Sequence, residues 1–184
     1  MARISLEHKR TWLVRLLEWG SRRKYGQVPD PGKVALHNRG VLVTTLLLEA
    51  SAARWKTLDP ELKALAVMVV SARIGCSWCM DFGYWEFHHQ GVDPRKLRDV
   101  PGWRDSDVYT DLERAAMDYA EAMTATPPEV TDAQVERLRQ DLTDEQLVEL
   151  TALASLENHR SRVNAALGLT SQGFKEYCEL RPVK

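Results

Sequence analysis

The hydrophobic and polar positions of this chain alternate at helical spacing along most of its length, and strand patterns are nearly absent. In the first predicted helix, residues 6–25, five apolar side chains share one face: Trp12, Leu13, Leu16, Leu17 and Trp19. Apolar residues three and four positions apart are typical of an amphipathic helix. The pattern therefore predicts an all-α fold, a compact bundle of several helices.

Start and stop signals give the remaining boundaries. Capping residues open most of the predicted helices: Asp59 followed by Pro60, and the capping boxes Thr110/Glu113, Thr131/Gln134 and Thr143/Gln146. The predicted helices cover approximately residues 39–55, 59–74, 76–91, a short helix followed by a loop within 92–107, 110–123, a segment from 131, and 143–167. Residues 27–33 and 124–131 are predicted breaks. The tail, 170–184, is mixed and is expected to dock through Phe174 and Tyr177.

Two of the predicted helices resemble each other. The helix before the cysteine pair and the last long helix share a cap, an apolar run and a polar end. When they are aligned, Cys76 falls opposite Ser161 and Cys79 opposite Asn164. The similarity fits two related helical halves, and it fits equally two ordinary capped amphipathic helices.

Length and charge narrow the class of protein. A chain of 184 residues fits a single domain, 1–184, with N-terminal helices in 1–55, a core in 56–168 and a tail in 169–184. The net charge of −1 argues against a nucleic-acid partner. No window has the roughly 18 consecutive apolar residues that a membrane span needs, and the start is not a secretory signal. We therefore expect a cytoplasmic protein with no membrane partner.

The segment RIGCSWCMDFGYWEFHH, residues 73–89, holds Cys76 and Cys79. Residues three apart on a helix share a face, so the two thiols can approach as a disulfide requires. They follow a helix end at Gly75, and the start of a helix favours thiolate over thiol. A dithiol with one activated member can exchange disulfides or reduce peroxides. Two buried core thiols without chemistry remain the alternative.

A metal site competes with the dithiol interpretation. A structural zinc site needs four ligands, and the chain has no second cysteine pair. Cys178 stands alone, and His88 and His89 lie about 13–15 Å beyond the pair along a continuous helix. His37 and His159 could join only from elsewhere in the fold. We therefore expect neither a metal nor another cofactor.

Residues 58–83, LDPELKALAVMVVSARIGCSWCMDFG, resemble the alkylhydroperoxidase D-like branch of the carboxymuconolactone decarboxylase superfamily. The loop around Trp103 and residues 111–124 and 144–162 extend the resemblance to about residues 55–168. It implies an all-helical homo-oligomer that reduces hydroperoxides through Cys-x-x-Cys. It also implies that Cys79 attacks and Cys76 resolves, whereas the helix-start argument alone favours Cys76 as the attacking thiol.

The chain departs from the family at two positions. Family peroxidases usually carry a Glu twelve residues before the first cysteine and a His four residues after the second, where this chain has Ala64 and Gly83. The candidate replacements for this proton relay are Glu86, Glu121, Glu149, Glu157 and His159. Gly83 itself indicates either close packing or room for a ligand.

The function predicted is that of an antioxidant oxidoreductase, a thiol-dependent peroxidase of peroxiredoxin type or a disulfide reductase. It would use the Cys76/Cys79 dithiol on a hydroperoxide or disulfide substrate, with a thiol electron donor that the sequence does not identify. Two alternatives stay open. One is a non-thiol, decarboxylase-like enzyme of the same superfamily, and the other is a member that lost catalysis with the Glu and the His.

Overall fold

The computed structural model describes residues 2–9 and 11–179, except the side chains of Tyr177 and Glu179. Ten α-helices and no strand occur in this part of the chain, which confirms the all-α prediction. The helices are α1 (Trp12–Tyr25), α2 (Asp30–Ala35), α3 (Arg39–Ala52), α4 (Pro60–Ile74), α5 (Ser77–His89), α6 (Pro94–Asp99), α7 (Asp111–Thr124), α8 (Asp132–Arg139), α9 (Asp144–Ala166) and α10 (Phe174–Glu179). A short 3₁₀ helix, Val100–Asp105, joins α6 to α7.

The helix starts follow the capping signals. Asp59 accepts hydrogen bonds from the backbone of Glu61 and Leu62 at the start of α4. Complete capping boxes open α7, α8 and α9. The prediction was wrong at the start of α1, which begins only after the cap Thr11, and it missed the short helices α2 and α10. It also extended α3 beyond Ala52.

The helix α4 forms the centre of the bundle. Every residue from Ala64 to Ser71 is buried, so the helix is enclosed on all sides. It packs against α5, α7 and α9, which surround it. The turn that follows the C-terminal end of α4, with Cys76, therefore lies in the interior of the protein.

A second apolar cluster surrounds the cysteines. Its buried members are Cys76, Trp78, Cys79, Leu169 and Phe174. Phe174 is fully buried, which confirms the predicted docking of the tail through this residue. The predicted role of Tyr177 concerns a side chain outside the described part of the structure.

The carboxylate of Asp81 on α5 fixes α10 in place. It accepts hydrogen bonds from the backbone N–H groups of Gln172 (2.8 Å), Phe174 (3.1 Å) and Lys175 (2.7 Å). These donors belong to the start of a helix, where backbone N–H groups lack partners within the helix. Asp81 thus caps α10 from another helix and closes the cysteine cluster on one side.

The helices α1 and α3 pack little against the rest of the chain. Their apolar side chains are largely exposed: Trp12, Leu13, Leu16, Leu17 and Trp19 on α1, and Val41, Val43, Leu46, Leu47 and Leu48 on α3. Neither helix has a buried residue. Among the described residues, no helix combines the length and the apolar character needed to cross a membrane.

Candidate active site

Cys76 and Cys79 form a disulfide at the start of α5. Cys76 is the N-cap of the helix, and its Sγ accepts a hydrogen bond from the backbone N–H of Cys79 at 3.2 Å. The Cα atoms lie 5.3 Å apart, as a shared helix face predicts. Cys76 is 1% exposed and Cys79 6%, so both residues are buried and Cys79 is slightly less so.

The turn between α4 and α5 explains this placement. Gly75 ends α4 with a φ of 77°, a left-handed conformation that glycine adopts without steric cost. The carbonyl of Ser71 accepts from the N–H groups of Gly75 (3.1 Å) and Cys76 (3.0 Å). The chain therefore leaves one helix and enters the next within two residues, and Cys76 is held against the end of α4.

Asn164 on α9 contacts the second cysteine. Its side-chain amide Nδ2 donates to Cys79 Sγ at 3.4 Å, and both residues are buried. A donor aimed at sulfur stabilises a thiolate more than a thiol, because the negative charge strengthens the hydrogen bond. In the alignment of the two similar helices, Asn164 is the counterpart of Cys79, and here the two counterparts are in contact.

One buried stripe of α9 changes from apolar to polar along its length. Leu150 and Ala154 begin it, and Glu157, Ser161 and Asn164 continue it at the same helical spacing. Residues at intervals of three and four lie on one face of a helix. The polar half of the stripe faces the end of α4 and the disulfide.

Glu157 is the buried carboxylate of this stripe, only 3% exposed. The hydroxyl of Ser161 donates to its Oε1 at 2.7 Å, and Ser71 Oγ lies 2.9 Å from the same oxygen. Burial raises the pKa of Glu157 from its ordinary value of 4.5, although Arg160 and the two serines favour the charged form. The carboxyl group of Glu157 therefore keeps its proton to a higher pH than an ordinary glutamate does.

Arg160 pairs with Glu157 and with a second carboxylate, on α3. Its guanidinium pairs with Glu157 at 3.3 Å and with Glu49 of α3, where Nε lies 2.8 Å from Oε1. The same guanidinium influences the pKa of Glu86 on α5. Burial raises the pKa of Glu86, and the positive charges of Arg160 and Lys24 oppose that rise. Glu86 and Glu157, both predicted relay candidates, thus share one cationic neighbour.

Glu121 and His159, two other relay candidates, lie in different surroundings. Glu121 accepts a hydrogen bond from Trp103 Nε1 at 3.1 Å and pairs with Arg104. These three residues line a cleft of about 370 Å³. His159 is exposed. Neither residue contacts the disulfide.

Glu149 also lies far from the cysteines. It pairs with Lys63 and accepts from the backbone N–H of Thr57 at 2.8 Å. Burial would raise the pKa of Glu149, but the hydrogen bonds from Lys63 and Thr57 hold it below its ordinary value. It is fifteen positions before Asn164, about 22 Å along α9. Its contacts indicate a role in joining α4 to α9.

The two positions that depart from the family are both buried. Ala64 is enclosed in α4. At Gly83, a Cβ atom would lie 2.7 Å from Met68 Sδ. Of the two interpretations of Gly83, the structure supports close packing, because the Met68 thioether occupies the space beside it. A histidine could not enter this position without displacing Met68.

A second cleft, about 530 Å³, borders the cysteine turn. Gly75 and Ser77, the neighbours of Cys76, line it together with Met80, Tyr84 and Lys175. Neither cysteine is among its lining residues. A ligand in this cleft would therefore meet the turn that carries Cys76, and it would reach a sulfur atom only if that turn or α10 moved.

Sequence reasoning missed Asn164, Ser161 and Ser71 as site residues. A signal was present for the first two, because they continue the spacing of Leu150 and Ala154 on a stripe that should be buried. Polar residues on such a stripe need buried partners. No comparable pattern marks Ser71, whose partner is on another helix.

Comparisons with known proteins identify a family and a near full-length relative. The model of the carboxymuconolactone decarboxylase family matches residues 43–122. YnjA of Escherichia coli is 34% identical over 177 residues, which cover 92% of this chain and 93% of YnjA. The match extends across the cysteine turn and the polar stripe of α9.

Two solved structures share the fold. An uncharacterised peroxidase-related protein from Silicibacter sp. TM1040 has a TM-score of 0.83 at 17% identity, covering 95% of this chain and 94% of that one. A Cys→Ala variant of the debrominase Bmp8, in complex with 2,3,4-tribromopyrrole, has a TM-score of 0.81 at 19% identity and covers 96% and 97%. The family match and the near full-length relative together show that this chain belongs to the carboxymuconolactone decarboxylase family.

Proposed function

We propose that the protein is a thiol-dependent reductase whose redox centre is the Cys76–Cys79 pair, and that it reduces hydroperoxides or disulfides. The observation that carries the proposal is the pair itself: two sulfurs within bonding distance at a helix start, with the Asn164 amide directed at Cys79. A cytoplasmic location fits this cycle, because thiol pools there return disulfides to dithiols.

In the proposed reaction the Cys79 thiolate attacks one oxygen of the hydroperoxide. The O–O bond breaks, the alcohol leaves with a proton, and Cys79 becomes a sulfenic acid. Cys76 then attacks the Cys79 sulfur, which forms the disulfide and releases water. Two electrons and two protons from an external thiol donor restore the dithiol. Cys79 is assigned the attack because its sulfur receives the Asn164 hydrogen bond and because the residue is slightly less buried than Cys76.

The proton for the leaving alkoxide needs a source other than the missing histidine. Glu157 is suited to this role, because its raised pKa keeps a proton available and Ser161 leads from it toward Asn164. Glu157 precedes Asn164 by two turns, about 10 Å, so the transfer requires Ser161 and water between them. Glu86, with its own raised pKa, is the second proton source.

Reductive dehalogenation of an aromatic compound is the second candidate. It is favoured by the shared fold with the debrominase Bmp8 and by the aromatic side chains that pack beside the disulfide: Trp78, Phe82, Trp85 and Phe174. The electrons balance as they do in peroxide reduction. The dithiol gives two electrons, the carbon–bromine bond becomes carbon–hydrogen, and bromide and a proton leave as the disulfide forms.

Self-association is part of the proposal. The apolar faces of α1 and α3 are exposed in the single chain, and a second copy presents the same faces. Exposed patches of this kind mark interaction surfaces. Light scattering at micromolar concentration should give at least a dimer, and Leu16→Glu or Leu47→Glu should weaken it. A monomeric wild-type protein would rule the arrangement out.

A substrate panel tests the function. The reduced protein is mixed separately with an organic hydroperoxide, a small disulfide and a bromopyrrole, and loss of thiols is followed together with product. The proposal expects one substrate class to oxidise the pair much faster than the others. The Cys76→Ser/Cys79→Ser variant is the matched control and should be inactive. Equal turnover by this variant would refute a thiol mechanism and favour a non-thiol activity.

A further inference from the structure

The end of α5 and the short helix α10 bring three further metal-ligating side chains together. A ring nitrogen of His88, a ring nitrogen of His89 and Cys178 Sγ all lie within 4.8 Å of one another. Cys178 Sγ is 3.8 Å from His89 Nδ1. Cys178 is buried, His88 half-buried and His89 exposed, so the cluster opens toward solvent on one side. The redox mechanism uses none of these residues.

Both histidine rings are held by the preceding turn of α5. His89 Nδ1 donates to the backbone carbonyl of Trp85 at 2.7 Å, when this nitrogen carries the proton. The same nitrogen faces Cys178 Sγ, so a rotation of the ring that breaks the bond to Trp85 would free Nδ1 for a metal, with the proton on Nε2. The ring of His88 lies nearly parallel to that of Tyr84, with an angle of 16° between the planes.

We propose that Cys178, His88 and His89 form a binding site for a zinc-class divalent cation, with water as the fourth ligand. One thiolate and two imidazoles are a typical zinc ligand set. In tetrahedral zinc, sulfur and nitrogen ligands lie about 3.5 Å apart, so rotations that move ligand atoms by about 1 Å would close the site. Binding replaces the thiol proton of Cys178 by the metal and releases that proton to solvent.

The site would fix the second end of α10. Asp81 already holds the start of that helix through three backbone N–H groups. A cation shared by Cys178 and the two histidines would fasten the opposite end to α5. Because Phe174 of α10 packs in the apolar cluster around the cysteines, the bound metal would also stabilise the packing of Phe174 beside the disulfide. The inference stands independently of the substrate that the dithiol reduces.

Titration with Zn²⁺ and with Co²⁺ tests the site. The full chain is used with Cys76→Ser/Cys79→Ser in the background, since a free dithiol would itself bind metal. Calorimetry should show one equivalent of Zn²⁺, and Co²⁺ should give a sulfur-to-cobalt charge-transfer band. Cys178→Ser and, separately, His88→Gln should each weaken Zn²⁺ binding at least about tenfold. His159→Gln, at an exposed histidine of α9, should leave it unchanged.

Circular dichroism establishes that each variant is folded before it is titrated. His88→Gln keeps the test decisive if Cys178→Ser does not fold, because His88 is only half-buried. The inference is overturned if the folded Cys76→Ser/Cys79→Ser protein does not bind one equivalent of Zn²⁺. It is also overturned if Co²⁺ binds without the sulfur band, or if the Zn²⁺ affinity survives either further substitution.

Discussion

The amide of Asn164 donates a hydrogen bond to Cys79 Sγ across 3.4 Å, from the last turns of α9 to the first turn of α5. Both side chains are buried, so water does not compete for the sulfur. Hydrogen bonds to charged groups are stronger than those between neutral groups. This contact is therefore expected to favour the Cys79 thiolate, in addition to the effect of the helix start.

Replacing Asn164 should slow oxidation of the dithiol. Asn164→Leu keeps the side-chain volume and removes the donor, so the rate of Cys79 oxidation by hydroperoxide should fall about tenfold to a hundredfold. Stopped-flow fluorescence of the reduced protein measures the rate. The matched control is Asn158→Leu, on the same helix, whose amide donates to Thr124 Oγ1 instead. Equal rates in both variants would show that the contact has no chemical role.

Glu157 should make the protein less stable as pH rises. Its folded pKa lies above the ordinary value of 4.5, so the folded state binds more protons than the unfolded state in the interval between the two values. The free energy of unfolding therefore decreases as pH rises from 4.5 through the folded pKa, and the loss persists above it.

Glu157→Gln keeps a neutral group of the same shape and should remove this part of the pH dependence. Urea unfolding of wild type and variant at about pH 5 and about pH 8 measures it. The variant should lose less stability between the two values. An equal or larger loss in the variant would mean that the folded pKa of Glu157 is not raised, and Glu157 would then be excluded as the proton source.

Gly83 and Met68 should show coupled effects on stability. Gly83→Ala places a Cβ against Met68 Sδ, and overpacking costs about 1–3 kcal/mol, partly offset by about 1 kcal/mol of helix propensity. In a Met68→Ala background the clash is gone, so the same substitution should stabilise the protein. Thermal unfolding of all four variants measures the cycle. If Gly83→Ala has the same effect in both backgrounds, the packing explanation fails.

Asp81→Ala should release α10 and uncover the disulfide. Three backbone N–H groups lose their acceptor. This should lower the local stability of α10 by about 1–3 kcal/mol. Amide exchange should accelerate in residues 172–179, and a small dithiol should reduce the Cys76–Cys79 disulfide faster. The exposed Asp105→Ala serves as control. Unchanged exchange in α10 would show that Phe174 alone holds the helix.

Local signals in the sequence were sufficient for most helices and for the cysteine pair. Capping is decided by a few neighbouring residues, so the starts of α4, α7, α8 and α9 could be read directly. The placement of Cys76 at the start of α5 follows from Gly75 in the same way. The helix α2 was missed because it overlaps residues 27–33, which Pro and Gly mark as a break, and α10 was missed because the mixed tail has no clear periodic pattern.

The surroundings of the dithiol depend on contacts between distant segments and could not be read in this way. Five acidic or basic residues were candidates for the relay, and only packing separates Glu157 and Glu86, which share Arg160, from Glu121 and Glu149, which bind other partners. Glycine at position 83 marked the absence of a base but did not reveal that Met68 fills the space.

The stoichiometry of peroxide reduction tests the central claim most directly. Reduced protein receives one equivalent of an organic hydroperoxide, the reaction is stopped by alkylation, and mass spectrometry maps every cysteine. We predict one Cys76–Cys79 disulfide for each alcohol formed, and in Cys76→Ser a sulfenic acid on Cys79. Alcohol formation with both thiols still alkylated, or no reaction of the pair with any of the three substrate classes, would contradict the account.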